Sequence, residues 1–453
     1  MTFMKYKLIS TIVFFSIFLT SCNKKLVTTP TQDIPTSAAF TTNDDVQAAL
    51  VGTYSALGDR NLYGGRVFLG QDLLANAGEI RWAGTYPQFT QINVKAIPID
   101  NLFVENTWLT AYTAINNANN VLSALGVLNA VSKNRVEGEA KFIRGSIYFD
   151  LVRVYSKAWN DGTPGSNAGV PIVLTPTTVI TNANKISRNS VAEVYAQAIK
   201  DLTEAEAKLP VSNGFYATKY SAAAMLARIY LQQGDYANAA AAANRVIGSK
   251  MYTLASTYAG AFPSMYPPAP VANTMEDVFS MQVNSSSGVN GFQEFYSAYG
   301  RGDITINPAH LGLYEAGDDR KNLFYTSNGY TYTGKFDNLY GNVHIIRLAE
   351  MYLTRAEANF RLGTTVGDSP LNDINLVRER ALLPDLLIIQ LTLPAIIKER
   401  KLELAFEGFS LHDAKRLKTP IGILPFNSPK LVYPIPKREI IVNSSLSQNE
   451  GYF

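Results

Sequence analysis

The sequence predicts a mainly α-helical protein built from paired helices, with long irregular loops inserted between the pairs. Three observations carry this. Apolar residues recur at three- and four-residue steps from about residue 106 to 247 and again from 344 to 409. A two-helix unit packed with small residues and turned by a glycine stands at 220–247. Two stretches, 58–105 and 251–340, have little helical period and much Gly, Asn, Ser and Pro.

The first helix comes from NTWLTAYTAINNANNVLSAL (106–125), where Trp108, Tyr112, Ile115, Ala118, Val121 and Leu122 form one stripe. RVEGEAKFIRGSIYFDLVRVY (135–155) makes the second. The third is delimited at both ends: Ser190 and Glu193 form a capping box, and Pro210 stops the helix after Leu209. YSAAAMLARIYLQQGDYANAAAAANRVI (220–247) has the layout of a tetratricopeptide repeat, with Ala223, Leu226, Ala227 and Tyr230 preceding a turn at Gly234, and Ala239 and Ala243 following it. A second pair is expected at 344–363 and 369–381, and a last helix at 393–409, with Pro394 in its first turn and Gly408 at its end. The units are not contiguous, which excludes a uniform solenoid.

Glu403 and Glu407 stand one turn apart on that last helix. Paired carboxylates raise the possibility of glycoside hydrolysis. However, two side chains pointing the same way from one helix do not easily flank a scissile bond. Lys398, Glu399, Arg400 and Lys401 lie beside them, so an ion-pair network bracing the scaffold is the expectation.

The amino-terminal segment reads as an export signal. Lys5 and Lys7 precede an apolar run, Leu8 to Leu19, of 12 residues. A permanent spanning helix needs roughly 20. The chain's one cysteine, Cys22, follows in Leu-Thr-Ser-Cys, which resembles the lipobox of bacterial lipoproteins. Residues 1–21 are therefore expected to be removed, Cys22 to carry lipid, and residues 22–40, rich in Lys, Thr and Pro, to act as a tether. Acyl chains contribute roughly 0.8 kcal/mol per buried methylene, so two or more anchor a protein that does not span.

Composition narrows the function. The formal net charge is +3, and removal of two lysines with the signal lowers it further, so no field of one sign steers the chain toward nucleic acid. His310, His344 and His412 are far apart, no zinc-ligand spacing occurs, and no phosphate-binding glycine loop or serine nucleophile elbow is present, so neither a metal nor a cofactor is expected. Residues 251–340 hold 10 Tyr and 6 Phe. Long irregular segments inside a domain are functional or disordered, and this aromatic content argues for function.

The ordered set of segments resembles the SusD/RagB-like family of outer-membrane nutrient-binding lipoproteins. DDVQAALVGTYSAL (44–57), the pattern Trp108, Tyr112, Ile115, Ala118, Asn119, the helices above, MEDVFSMQ (275–282), GDDRK (317–321), ERKLELAFEGF and YPIPKREIIVNSSLSQNEGY (433–452) follow in the family's order. Ser410, Ser444 and Glu450 depart from it, and Asn23-Lys24-Lys25 lacks the acidic residues that often mark surface export. The resemblance implies tetratricopeptide-like pairs with inserted loops and a few short strands. It places one domain at 41–453, with parts 41–215 and 216–453 sharing the helical scaffold. It further implies an outer-membrane position facing the exterior, an oligosaccharide or other nutrient as ligand, a SusC-like TonB-dependent transporter as partner, and no catalysis. A surface hydrolase and a helical scaffold without small ligand are the alternatives.

Sugars present C–H faces that flat rings cover and hydroxyl edges that polar groups bond. Arg81, Trp82 and Tyr86 in NAGEIRWAGTYPQF, Tyr266, and Tyr296 and Tyr299 in SGVNGFQEFYSAYGRGD are the candidate ligand-binding residues. Trp82 is the expected platform, while Trp108 and Trp159 lie on or beside helical stripes and are expected in the core.

Overall fold

A computed structural model describes residues 40–179, 181–264 and 267–452. The chain divides into residues 1–41, of which only Phe40 and Thr41 are described, and a unit from Thr42 to Phe453. The expected signal, Cys22, the tether up to residue 39, and Tyr266 lie outside the described residues.

Fifteen α-helices and six short strands are present among the described residues. The first three helices, α1 (Asn43–Leu57), α2 (Arg66–Ala75) and α3 (Pro87–Asn93), flank β1 (Ile80–Trp82). The long α4 (Leu102–Ser123) and α5 (Ala130–Tyr155) follow, then α6 (Val191–Lys208) and the pair α7 (Lys219–Gln233) and α8 (Tyr236–Gly248). The loop-rich part contains β2 (Asp277–Met281), α9 (Gly291–Tyr296), β3 (Ile304–Ile306), α10 (Pro308–Leu311), β4 (Phe324–Ser327), β5 (Tyr330–Thr333) and β6 (Val343–Arg347). The chain closes with α11 (Leu348–Leu362), α12 (Pro370–Arg380), α13 (Leu393–Glu403), α14 (Ser410–Arg416) and α15 (Lys437–Val442).

Two of the predicted helices form where their boundary signals stand. Ser190 and Glu193 make the capping box of α6, and Gly234 ends α7 at φ 75°, a left-handed conformation that glycine adopts without strain. Successive helices pack side by side from α5 through α6, α7, α8 and α11 to α12 and α13. Fully buried alanines at 222–224, 227, 239, 240, 242 and 243 let α7 and α8 approach closely. Buried forked ion pairs tie neighbours together: Arg144 to Asp201 between α5 and α6 (2.8 and 2.7 Å), Arg228 to Glu350 between α7 and α11 (2.8 and 2.7 Å), and Arg355 to Asp373 between α11 and α12 (2.9 and 2.6 Å).

Three local expectations are corrected. The stretch 58–105 contains α2 and α3, and every residue of α2 from Arg66 to Leu74 is buried, so it has no polar face to betray its period. Residues 344–347 belong to β6, which pairs antiparallel with β2 and so reads as a strand rather than the start of α11. The last long helix stops at Glu403, because Phe406 takes φ 67°, and a separate α14 begins at Ser410. Glu407 is therefore not on the same helix as Glu403.

Both glutamates nonetheless meet one guanidinium. Arg347 donates to Glu276 (2.6 Å), Glu403 (2.9 Å) and Glu407 (2.8 and 3.0 Å). Arg380 also engages Glu276 and Glu403, Arg320 engages Asp318 and Glu399, Arg378 reaches Glu399, and Lys335 donates to Glu407. Five carboxylates and five cations thus neutralise one another, all buried. Burial opposes ionisation of Glu403, yet Arg380, Arg347 and Arg320 hold it down to about 2. The expected network exists, but its cations come from distant segments, while Lys398 and Lys401 pair with Glu315 and Glu79.

Removing one member of such a network strands the rest. Arg347→Ala is expected to lower the unfolding free energy by about 3–5 kcal/mol in urea titration. Lys398→Ala, which breaks an exposed pair, should change it by no more than about 1 kcal/mol.

Candidate functional site

Two segments singled out separately in the sequence are brought together by β1 and β3. Arg81 pairs with Thr305 and Trp82 with Ile304. The backbone N–H of Ala83 continues the ladder to the carbonyl of Asp303 (2.8 Å). At its end Arg301 donates to Asp303 (2.7 Å) and Thr85 (3.2 Å) and lays its guanidinium over the Tyr86 ring at 4.6 Å.

Beside this ribbon lies the hairpin β4–β5. Its turn is Asn328-Gly329, both with positive φ (50° and 78°), as a two-residue type I′ connection requires. Alternation along the strands sends Phe324 inward against His310, Tyr314 and Phe406. Tyr325, Tyr332 and Tyr330 share the other face. Tyr299 stacks on Tyr325 (centroids 6.2 Å apart, planes at 21°), and Tyr325 on Tyr332 (5.8 Å, 26°). At the far end Arg81 covers Tyr330 at 4.9 Å. The result is a strip of tyrosines with 71% of Tyr299 and 46% of Tyr330 exposed.

The strip is held from below. The Tyr325 hydroxyl donates to Asp337 (2.9 Å) and accepts from the N–H of Ala298 (3.1 Å), while the Ser297 hydroxyl donates to Asp337 (2.6 Å). Burial pushes the Asp337 carboxyl above its ordinary range despite those donors. Just before β1, Glu79 accepts from His310 (2.8 Å) and Lys401; burial opposes its charge, but these two partners bring it down to about 2. An open cleft of about 930 Å³ adjoins Tyr299, bordered by Arg301, Asn284, Asn290, Asp337 and Tyr340.

The candidate residues divide. Arg81 and Tyr299 stand at the surface. Tyr86 is half-buried, its ring against Phe89 and Phe295. Trp82 is not the open platform expected: its indole N–H is committed to Thr90 (2.8 Å), its ring packs on Phe89 and Phe295, and Gly84 lies so near that an added Cβ would collide with it. Tyr296 is a core residue, 0% exposed. Helix α9 turns its ring among Phe292, Phe336 and Phe406, and its hydroxyl donates to Asp72 in α2 (2.9 Å). Trp108 is buried and Trp159 packs half-buried on Tyr195, as expected from their helical setting. Tyr325, Tyr330 and Tyr332 were not anticipated, although the alternation Phe-Tyr-Thr-Ser, Asn-Gly, Tyr-Thr-Tyr-Thr is a hairpin signal. Among the described residues no three His, Cys, Asp or Glu side chains are grouped to hold a metal ion, and no helix is long and apolar enough to cross a membrane.

Comparison with known proteins places this geometry. Residues 35–231 match a SusD-like family model described as "Starch-binding associating with outer membrane", and residues 320–422 match the SusD family model. A SusD-like protein of Formosa agariphila is 26% identical, covering 99% of this chain and 100% of its own. A SusD superfamily protein from Bacteroides vulgatus has the same fold, with TM-score 0.82 and 23% identity over 91% of this chain and 100% of that one. Another structure from that organism, whose name proposes sugar binding, gives TM-score 0.81 and 25% identity over 92% of this chain and 100% of its own.

The two tyrosines of the 287–303 segment are expected to behave oppositely. Tyr296→Ala opens a core cavity and should cost about 3–5 kcal/mol, whereas Tyr299→Ala should stay within about 0.5 kcal/mol of the parent in the same urea titration. The partner of Tyr296 adds a pH test. Burial pushes Asp72 up from 3.8 to about 7 against the donors Tyr296 and Gly408. The fold therefore holds this proton more tightly than the unfolded chain. The stabilisation is complete below about 3.8 and lost as pH rises through about 7. Thermal unfolding should show the parent losing ground to Asp72→Asn between pH 4 and 7.

Proposed function

The chain belongs to the SusD/RagB family, and from that membership and the surface just described we propose that it captures a glycan at the outer membrane and passes it to a transporter. The observation that carries this is the tyrosine strip. Two large rings at the surface, Tyr330 on the hairpin and Tyr299 stacked against its Tyr325, beside a cleft with convergent polar groups, suit a ligand with alternating apolar faces and hydroxyl edges. Tyr299 and Tyr330 would cover sugar faces, and Arg81, Arg301 and the tyrosine hydroxyls would bond edges. Tyr86 would support Arg301. The family model's wording and the name of the Bacteroides vulgatus structure support a carbohydrate as cargo.

Lipid on Cys22 would tether the protein to the outer leaflet, facing outward, and a SusC-like TonB-dependent transporter would receive an oligosaccharide from the strip. The function is binding rather than bond cleavage. Supporting this, Glu403 and Glu407, the acids that invite a hydrolase reading, are consumed by Arg347, Arg380 and Lys335.

Affinity electrophoresis in gels containing single polysaccharides tests the reading. At least one polymer should retard the parent, and Tyr299→Ala and Tyr330→Ala should each weaken retention about tenfold without changing the melting temperature, since stacking contributes on the order of 1 kcal/mol per ring. Retention unchanged in both variants would remove the strip from the binding surface.

A further inference from the structure

We propose that the cargo is an acidic glycan, one bearing uronate carboxylates or sulfate esters, and that Arg81 is the residue that selects it; this rests on the glycan-binding reading above. The argument begins with which charges at the strip are already committed. Glu294 is held by both oxygens on Arg66 (3.0 and 3.1 Å). Asp303 accepts from Arg301. Asp337 is occupied by Ser297 and Tyr325, and its burial disfavours charge. Glu79 accepts from His310 and is paired with Lys401. Among the described residues, each of these carboxylates at the strip is already paired or disfavoured as a charge by burial.

The cations differ. Arg301 spends Nε and Nη2 on Asp303 and Thr85, which leaves Nη1 outside those bonds. Arg81 has no hydrogen-bond or ion-pair partner among the described residues; its guanidinium lies over the face of Tyr330. That contact satisfies none of the five N–H donors and rests the guanidinium against the ring. Pairing of β1 with β3 fixes its backbone. An oriented, uncommitted planar fork at the end of an aromatic strip matches the two oxygens of a carboxylate or sulfate, and orientation in advance reduces the entropy lost on binding. A neutral sugar would engage these donors singly and gain less.

The test uses matched polymers that differ in charge: dextran against dextran sulfate, and methyl-esterified pectin against polygalacturonate, in native gels at 50 and 300 mM NaCl. The parent should bind at least one acidic member more tightly than its neutral counterpart. Arg81→Gln should weaken that retention about tenfold and weaken any neutral retention by a smaller factor, since a neutral sugar engages these donors only singly. Arg81→Lys, which keeps charge without the fork, should fall between. Added salt should cost the parent more than Arg81→Gln. Arg438→Gln, an exposed cation on α15, should change nothing; equal losses in both variants would mean a diffuse charge effect and would overturn the assignment. The sulfated and uronate arms decide between the two anions. Equal or better retention by the neutral polymers, unaffected in Arg81→Gln, would overturn this proposal and leave the glycan reading standing. Failure of every polymer to retard the parent would overturn both.

Discussion

The buried cluster around Arg347 is the constraint on which the arrangement of the irregular half depends. Taking a charged group out of water is expensive unless opposite charges and hydrogen bonds compensate it closely. Here the compensation is distributed over segments far apart in sequence, from Glu276 before β2 to Glu407 beyond α13. None of these segments can leave without abandoning a charge in the interior. Two members have a specific consequence: Arg320 lies just before β4 and Lys335 just after β5. Both feet of the tyrosine hairpin are thus fixed to carboxylates carried by or following α13. A third anchor, Glu79 with His310 and Lys401, fixes the start of β1.

These anchors connect the helical scaffold to the surface. The paired helices bring buried area and close approach through their alanines, and forked arginine–carboxylate pairs set how neighbours are oriented. The loops contribute short two-stranded ribbons, each too small to stand alone. Pinned to the scaffold by ion pairs, they become rigid enough to hold rings in the open. An exposed tyrosine on a mobile loop would lose entropy on meeting a sugar; one stacked on Tyr325 above a bonded Asp337 has already lost it.

Legibility followed the kind of signal each element carries. Helices with caps and one apolar face, such as α6, were readable from the spacing of their own residues. Helix α2 was not, because a helix buried on all sides resembles any apolar run. The end of α13 is not legible because Phe406, a residue with no special liking for positive φ, takes a turn ahead of Gly408. The hairpin is signalled by Asn328-Gly329 between alternating segments, a weaker pattern than the aromatic density in which it is embedded. Within the candidate site, the segments 76–89 and 287–303 stand out in the sequence separately, with nothing to show that they meet, and Tyr296 and Tyr299 cannot be told apart there. They stand three positions apart, and only the helix carrying Tyr296 decides that its ring points to Phe336 and Asp72.

Sequence alone determined the class of the protein: periodic apolar faces, caps and small-residue pairs are local, and local patterns dictate helices and their pairing. It also determined that the aromatic loops were worth attention, since such composition is hard to reconcile with a solvated linker. Tertiary structure decided which rings face water, which carboxylates are already neutralised and which arginine is left free. Those properties depend on partners hundreds of positions away, as with Tyr296 and Asp72 or Lys401 and Glu79, and no spacing along the chain encodes such a meeting.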